Sequence, residues 1–153
     1  MNPHFLSKRL SHILGFAGLT PFFLMMAGVW FAEGKWLDDF IRGQLAYSMA
    51  ILSFLGGVHW GAAMVCSTLS LLDTKKALLW GVTPSLIAWS ATFSGDFGFA
   101  VLMAGFVAAW QADKHLFPRY GMPAWLVPLR TRLTATVVFL LAATVIGANL
   151  RTG

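Results

Sequence analysis

The sequence predicts an all-α, polytopic membrane protein of five transmembrane helices, with the amino terminus cytoplasmic and the carboxyl terminus outside. Three observations predict it. The first is composition: of 153 residues, 58% are hydrophobic and 11% charged, where a soluble domain carries about 25% charged residues to keep its surface in water. The second is pattern: apolar runs recur from end to end and mean hydropathy is +0.70, so residues 1–153 are expected to form a single membrane domain. The third is the placing of charge. Lys8, Arg9, Lys75, Lys76, Lys114, Arg119, Arg130 and Arg132 fall on the amino-terminal side of the expected spans, and only Lys35, Arg42 and Arg151 on the other. Basic residues are retained on the cytoplasmic face, which orients the chain.

The spans are expected over about 12–32, 45–70, 77–95, 97–115 and 130–150. The first follows Lys8 and Arg9 and is too long for a signal-peptide core, so it reads as a retained helix. Pro21 within it, and Pro84 within the third, each free a carbonyl one turn back, that of Ala17 and that of Trp80, and are expected to kink their helices. The second span carries Ser53, Gly57 and Gly61 at spacing four. Such a stripe lets helices approach closely, either within the chain or across a homodimer. Ser94-Gly95-Asp96 leaves almost no connector between spans three and four, which therefore pair as an antiparallel hairpin through small residues that include Gly81 and Gly105. Pro118, Pro123 and Pro128 forbid a long helix between spans four and five, and Pro128 suits the start of the last helix.

Residues 53–61, Ser-Phe-Leu-Gly-Gly-Val-His-Trp-Gly, place His59 inside the second span. Lipid offers no water to an imidazole, so His59 needs a partner within the protein or a wet cavity. One reading makes it a proton relay or ligand contact; the other has it bonded to a carbonyl freed by Pro21 or Pro84. Trp60 and Trp89 lie well inside their spans, and each indole N–H wants an acceptor. Together with Ser85 and Gln111 they make up a candidate intramembrane polar site around His59. At the end of span four, Gln111 and His115 share a helix face, and Asp113 is expected to point elsewhere. Trp125, Arg130 and Arg132 are candidate interfacial contacts to an anion or a lipid headgroup.

Several classes find no support. His4, His12 and His115 lie at or beyond the membrane boundary, and carboxylates are expected to be missing at the depth of His59. No haem, zinc or di-iron centre is therefore predicted, and no cofactor. Cys66, the single cysteine, excludes an internal disulfide. The net charge of +5 is scattered between apolar segments, which fits topogenic signals and not a nucleic-acid partner. Nucleotide loops, nucleophile elbows and metalloprotease helices are absent from the sequence.

With those residues in hand, the chain resembles the family of domain of unknown function 3429. The likeness rests on Phe54-Leu-Gly-Gly-Val-His59-Trp60-Gly61, on Trp80-Gly-Val-Thr-Pro84-Ser85-Leu-Ile-Ala-Trp89, on Gln111 with Asp113, and on Pro123-Ala-Trp125 followed by Pro128-Leu-Arg130. It implies a small integral membrane protein, in bacteria of the inner membrane and in a eukaryote of the mitochondrial inner membrane, and it implies no activity. The residues themselves favour a non-enzymatic subunit, assembly factor or scaffold, with the bilayer and a membrane-protein partner or homo-oligomer as its contacts. An oligomeric carrier or channel for a small solute or proton, working through His59, ranks second. A quinone-, haem- or lipid-binding membrane enzyme ranks third.

Overall fold

The computed structural model describes residues 3–152, with side chains from Lys8 onward; Met1, Asn2 and Gly153 lie outside the described residues. All regular structure among them is helical. It comprises α1 (Pro3–Ala17), α2 (Thr20–Phe31), α3 (Leu37–Val65), α4 (Leu71–Ala91), α5 (Gly98–Leu116) and α6 (Leu126–Thr152), with single 3₁₀ turns before α3 and α5. Four segments, Lys8–Phe31, Gly34–Val65, Gly95–Leu116 and Leu126–Thr152, are long and apolar enough to cross a bilayer. The helix expected as the third span, α4, is not among them, because its first turns carry Asp73, Lys75 and Lys76. Exposed apolar side chains such as Phe23, Leu86, Trp89 and Phe139 cover the outside of the molecule, as lipid-facing surfaces require.

Several expected boundaries move. The second helix starts at Leu37, not near 45, and ends at Val65, not near 70. Asp38 and Asp39 in its first turn complement the helix dipole, while Ser70 is used to begin α4. The Ser70 hydroxyl accepts from the backbone N–H of Asp73 at 3.1 Å, so α4 starts at Leu71, six residues before its apolar stretch. The first span is not one kinked helix. Pro21 stands in the first turn of α2, where its missing N–H costs nothing, and the chain breaks at Gly18–Leu19. The Gly18 carbonyl there accepts from the Tyr47 hydroxyl at 3.0 Å. Pro84 does lie inside its helix, buried against α3.

Helices α2 to α6 close into a ring: α2 packs on α3, α3 on α4, α4 on α5, α5 on α6 and α6 on α2, with α3 also reaching α5 through the middle. Among the described residues, helix α1 touches α6 only lightly. Phe22, Leu52, Leu102, Phe106 and Leu141 fill the centre. The end of the bundle holding the start of α1, the α3–α4 turn and the α5–α6 connector is called the near end below. At the far end, Arg151 donates to the carbonyls of Val29 at 2.7 Å and Ala32 at 2.6 Å. A cation thus closes the carbonyl end of α2, where the dipole favours positive charge.

The small residues that bring α3 and α4 together differ from those expected. A methyl group on Gly57 or Gly61 would meet nothing within 4 Å, so these glycines do not pack within the chain. Gly56 does: a methyl there would overlap the carbonyl of Gly81, and one on Gly81 would overlap the indole of Trp60. The stripe is rotated by one residue, because His59 turns inward and carries Leu52, Leu55 and Gly56 with it. Ser53 is half-buried beside this face, and Gly105 receives Leu52 and Ile87. Gly56→Ala should therefore destabilise the detergent-solubilised protein by about 1–3 kcal/mol, read as a lower Tm. Gly57→Ala should be neutral or raise stability by roughly 0.5–1 kcal/mol, since it removes a flexible helix residue without a clash. Equal losses from both would mean that α3 is rotated away from the face described.

A buried tyrosine–histidine–aspartate–arginine cluster

Four side chains from three helices and a connector meet at the near end. His59 comes from α3 and Asp113 from the last turns of α5, and each is only 1% exposed. Tyr120 comes from the α5–α6 connector, where Gly121 at φ 68° makes a turn that L-residues adopt poorly. Arg130 comes from the second turn of α6, with 12% of its side chain exposed. The His59 Nε2–H donates to Asp113 Oδ1 at 3.0 Å, and Arg130 Nε–H donates to Asp113 Oδ2 at 2.6 Å. On the other ring nitrogen, the Tyr120 hydroxyl lies 2.9 Å from His59 Nδ1, to which it donates when the imidazole is neutral. This tautomer follows from the partners: an ionised carboxylate only accepts, so the proton faces Asp113. Phe117 covers the imidazole, with ring centroids 5.5 Å apart.

The arrangement resolves an electrostatic conflict. A carboxylate near a helix C-terminus opposes the dipole, and a buried one is costly unless paired. Asp113 receives a charged partner on one oxygen and an N–H donor on the other. The connector is held outside the bundle as well. Arg119 forms an ion pair with Asp73 of α4, whose carboxyl is held below its ordinary range by the Ser70 hydroxyl and then by Arg119. Half-buried Cys66, at the end of α3, lies 3.7 Å from the carbonyl of Tyr120.

A cleft opens beside the cluster between α1, α3 and α6. Its larger lobe, about 450 Å3, has Asp113 and Arg130 in walls otherwise built largely from Leu14, Phe54, Leu55, Val58, Phe117 and Leu133. A smaller lobe of about 150 Å3 shares the Phe54, Arg130 and Leu133 walls and runs on to Phe22, Thr134 and Val137. Two polar atoms are buried here without a partner among the described residues, Arg130 Nη2 and Thr134 Oγ1. They stand one turn apart on α6, and each unmet group costs about 1–3 kcal/mol.

The structure separates the residues that the sequence grouped. Trp60 donates to the Leu78 carbonyl at 2.9 Å and packs on Gly81, a helix-packing part. Ser85, Trp89 and Gln111 are exposed, and none of them reaches His59. Asp113 was expected to point away, and carboxylates were expected to be missing at this depth. Asp113 is instead the residue that faces inward, and His59 bonds to it and to Tyr120, not to a proline-freed carbonyl. The signal was present: Phe106, Ala109, Asp113 and Leu116 share one helical stripe, and all are buried. Arg130 is tied to Asp113, whereas Arg132 is exposed and Trp125 stacks near His12 at 5.4 Å. Towards the far end, Gln44 is fully buried with both side-chain amide atoms unpartnered among the described residues, and the Ser48 hydroxyl donates to its backbone carbonyl at 2.6 Å. The Leu52–Leu102–Phe106–Leu141 layer lies between these groups and His59 along the bundle.

Burial pushes the Tyr120 hydroxyl up to about 12, helped by the negative charge of Asp113 and Asp73. Its pKa is thus raised above the unfolded value of about 10. The stability it confers is complete below that value and is lost as pH rises towards 12. In a Tyr47→Phe background, tyrosinate absorbance should report ionisation of Tyr120 near 12, and Asp113→Asn should lower that midpoint. An ordinary tyrosine midpoint with Asp113 intact would mean that the hydroxyl is not enclosed.

A family model described as a protein of unknown function, DUF3429, matches residues 7–146. Transmembrane protein 69 of Xenopus tropicalis is 34% identical over 142 residues, covering 89% of this chain and 53% of that protein. The chain therefore spans about half the length of that curated relative. No solved structure matches. Apolar helices and a transmembrane relative agree that this is a membrane protein, and the chain belongs to the DUF3429 family of proteins of unknown function.

Proposed function

We propose that this protein is a non-enzymatic, membrane-embedded binding protein for a single-chain lipid, whose tail lies in the cleft between α1, α3 and α6 and whose head meets Arg130 and Thr134. The observation that carries the reading is the pair of buried polar atoms unpartnered among the described residues, Arg130 Nη2 and Thr134 Oγ1, on the wall of a largely apolar cleft whose larger lobe also holds Asp113. Ligand sites have this character, a greasy enclosure of roughly 300–1,000 Å3 with few polar groups that fix orientation. The lightly held α1 gives the tail a lateral way in from the bilayer. By the distribution of basic residues, the cluster sits at the cytoplasmic side of an inner membrane crossed five times, with α4 as the third crossing.

A channel is less well supported. The Leu52, Leu102, Phe106 and Leu141 layer is almost fully buried, and it interrupts any polar path between Gln44 and His59. A haem ligand role for His59 would take one of its ring nitrogens from Tyr120 or from Asp113. A scaffold or assembly role remains compatible with lipid binding, because a held lipid can be part of what a partner recognises.

The test is photolabelling in native membranes with a fatty-acid probe carrying a tail diazirine, mapped by peptide mass spectrometry. Label should concentrate on Leu14, Phe54 and Leu133. Gly15→Leu narrows the cleft, since even an added Cβ would stand 3.1 Å from Leu133. It should cut labelling about tenfold, roughly 1.4 kcal/mol. Label spread evenly over outward residues such as Leu86 and Phe139, and indifferent to Gly15→Leu, would overturn the proposal.

A further inference from the structure

We infer that the head of this lipid is an anion, such as a carboxylate or phosphate monoester, and that it binds together with a proton taken up by His59. The inference rests on the lipid-binding reading above and adds the charge of the ligand and the coupling. With a neutral imidazole, the cluster without ligand is neutral as a set: Arg130 balances Asp113, and His59 stands between Asp113 and Tyr120. The free Nη2 of Arg130 is a cationic donor, for which an anionic acceptor is the strongest partner. An anion bound there shares the guanidinium with Asp113 and leaves the enclosed set one negative charge in excess. A buried uncompensated charge is expensive, and the chemically available compensation is a proton.

The hydrogen bonds decide where that proton goes. Both Asp113 oxygens already accept, one from His59 and one from Arg130, so protonating Asp113 would displace a donor. His59 Nδ1 faces a hydroxyl, which can accept as readily as donate. On protonation the Tyr120 O–H bond to Nδ1 is replaced by Nδ1–H to Tyr120 oxygen at the same 2.9 Å, while Nε2–H to Asp113 is untouched. The result is Arg130 and His59 positive, Asp113 and the ligand negative.

Other charges lie farther out. Asp73 of α4 is paired with Arg119 on the outer side of the connector, and Cys66 is beside Thr68 at the end of α3. Lys75 and Lys76 of α4 are exposed, and α4 contributes buried Ala77 beneath the connector. From α1, His12 bonds to the Lys8 carbonyl and stacks on Trp125.

Calorimetry on the full chain in a neutral maltoside detergent tests the inference with three probes. These are dodecanesulfonate, whose head stays anionic, its uncharged counterpart dodecanamide, and tail-less methanesulfonate. Dodecanesulfonate affinity should fall as pH rises, by about tenfold per unit at its steepest, with about one proton taken up per probe in buffers of differing ionisation enthalpy. Dodecanamide should bind without a pH slope. Methanesulfonate should bind at least about a hundredfold more weakly, for want of buried tail area. His59→Gln should retain dodecanesulfonate binding at the weak, high-pH level and lose the slope, and Arg130→Gln should lose the preference for the anion. Proton uptake in the unaltered protein decides the matter even if these variants do not fold. Sulfonate binding without proton uptake, a slope that survives His59→Gln, or tighter binding of dodecanamide would each overturn the inference while leaving lipid binding intact. Equal binding of methanesulfonate would replace the lipid by a soluble anion, and failure of both twelve-carbon probes would overturn the lipid-binding reading itself.

Discussion

The Asp113 carboxylate, enclosed near the end of α5, is the constraint on which the near half of the bundle depends. Each oxygen has one donor, His59 of α3 and Arg130 of α6, so a single buried charge sets the rotation of three helices. Removing one member of such a pair typically costs about 3–5 kcal/mol, because the remaining charge is stranded in a medium that solvates it poorly. That penalty makes the geometry specific. Turning α3 by one residue would carry His59 away from Asp113 and move Gly56 off Gly81, so the polar bond and the close helix contact enforce the same register.

The helix contacts follow from the absence of a hydrophobic drive inside lipid. Apolar surface gains little by leaving hydrocarbon, so association relies on close packing and on polar bonds. Gly56 against Gly81 supplies the first, and the enclosed cluster supplies the second. Aromatic hydrogen bonds add fixed points along the length: Trp30 to Ala143 at 3.0 Å, Tyr47 to Gly18 at 3.0 Å, and Trp110 to Thr131 at 2.9 Å. Each ties neighbouring helices at a different depth, and the cleft beside α1 is the accessible part of the interior.

The cluster and the cleft bear on function together. A buried ion pair whose hydrogen-bonding capacity was entirely used would be a structural tie. Here both N–H donors on the buried Nη2 of the guanidinium are unmet among the described residues, and a hydroxyl one turn along the same helix is unmet as well. Both stand on the wall of a space that the side chains leave unfilled. The histidine reaches that wall through Asp113, and its far nitrogen is held by a tyrosine whose hydroxyl can exchange the direction of its bond. This combination relates occupancy of the cleft to the protonation of a group that does not itself line it.

By itself the sequence determined the class of the molecule, because composition and charge distribution are additive properties that need no coordinates. It determined the helical hairpin at Ser94–Asp96, since local turn residues act over a few bonds, and it determined that His59 needs a partner within the protein, since an imidazole in lipid must be satisfied. Tertiary structure decided the partners. Asp113 and Gln111 differ by two positions on one helix; the stripe through Phe106, Ala109 and Leu116 marks the carboxylate as the inward one, and the packing of α5 against α3 supplies its partner. Gly56 and Gly57 are adjacent glycines, and only the rotation of α3 selects the one that meets α4. Tyr120 and Thr134 gave no warning, because a connector tyrosine and a mid-helix threonine acquire their roles from neighbours distant along the chain. Local chemistry is written residue by residue, whereas enclosure is a property of several helices at once.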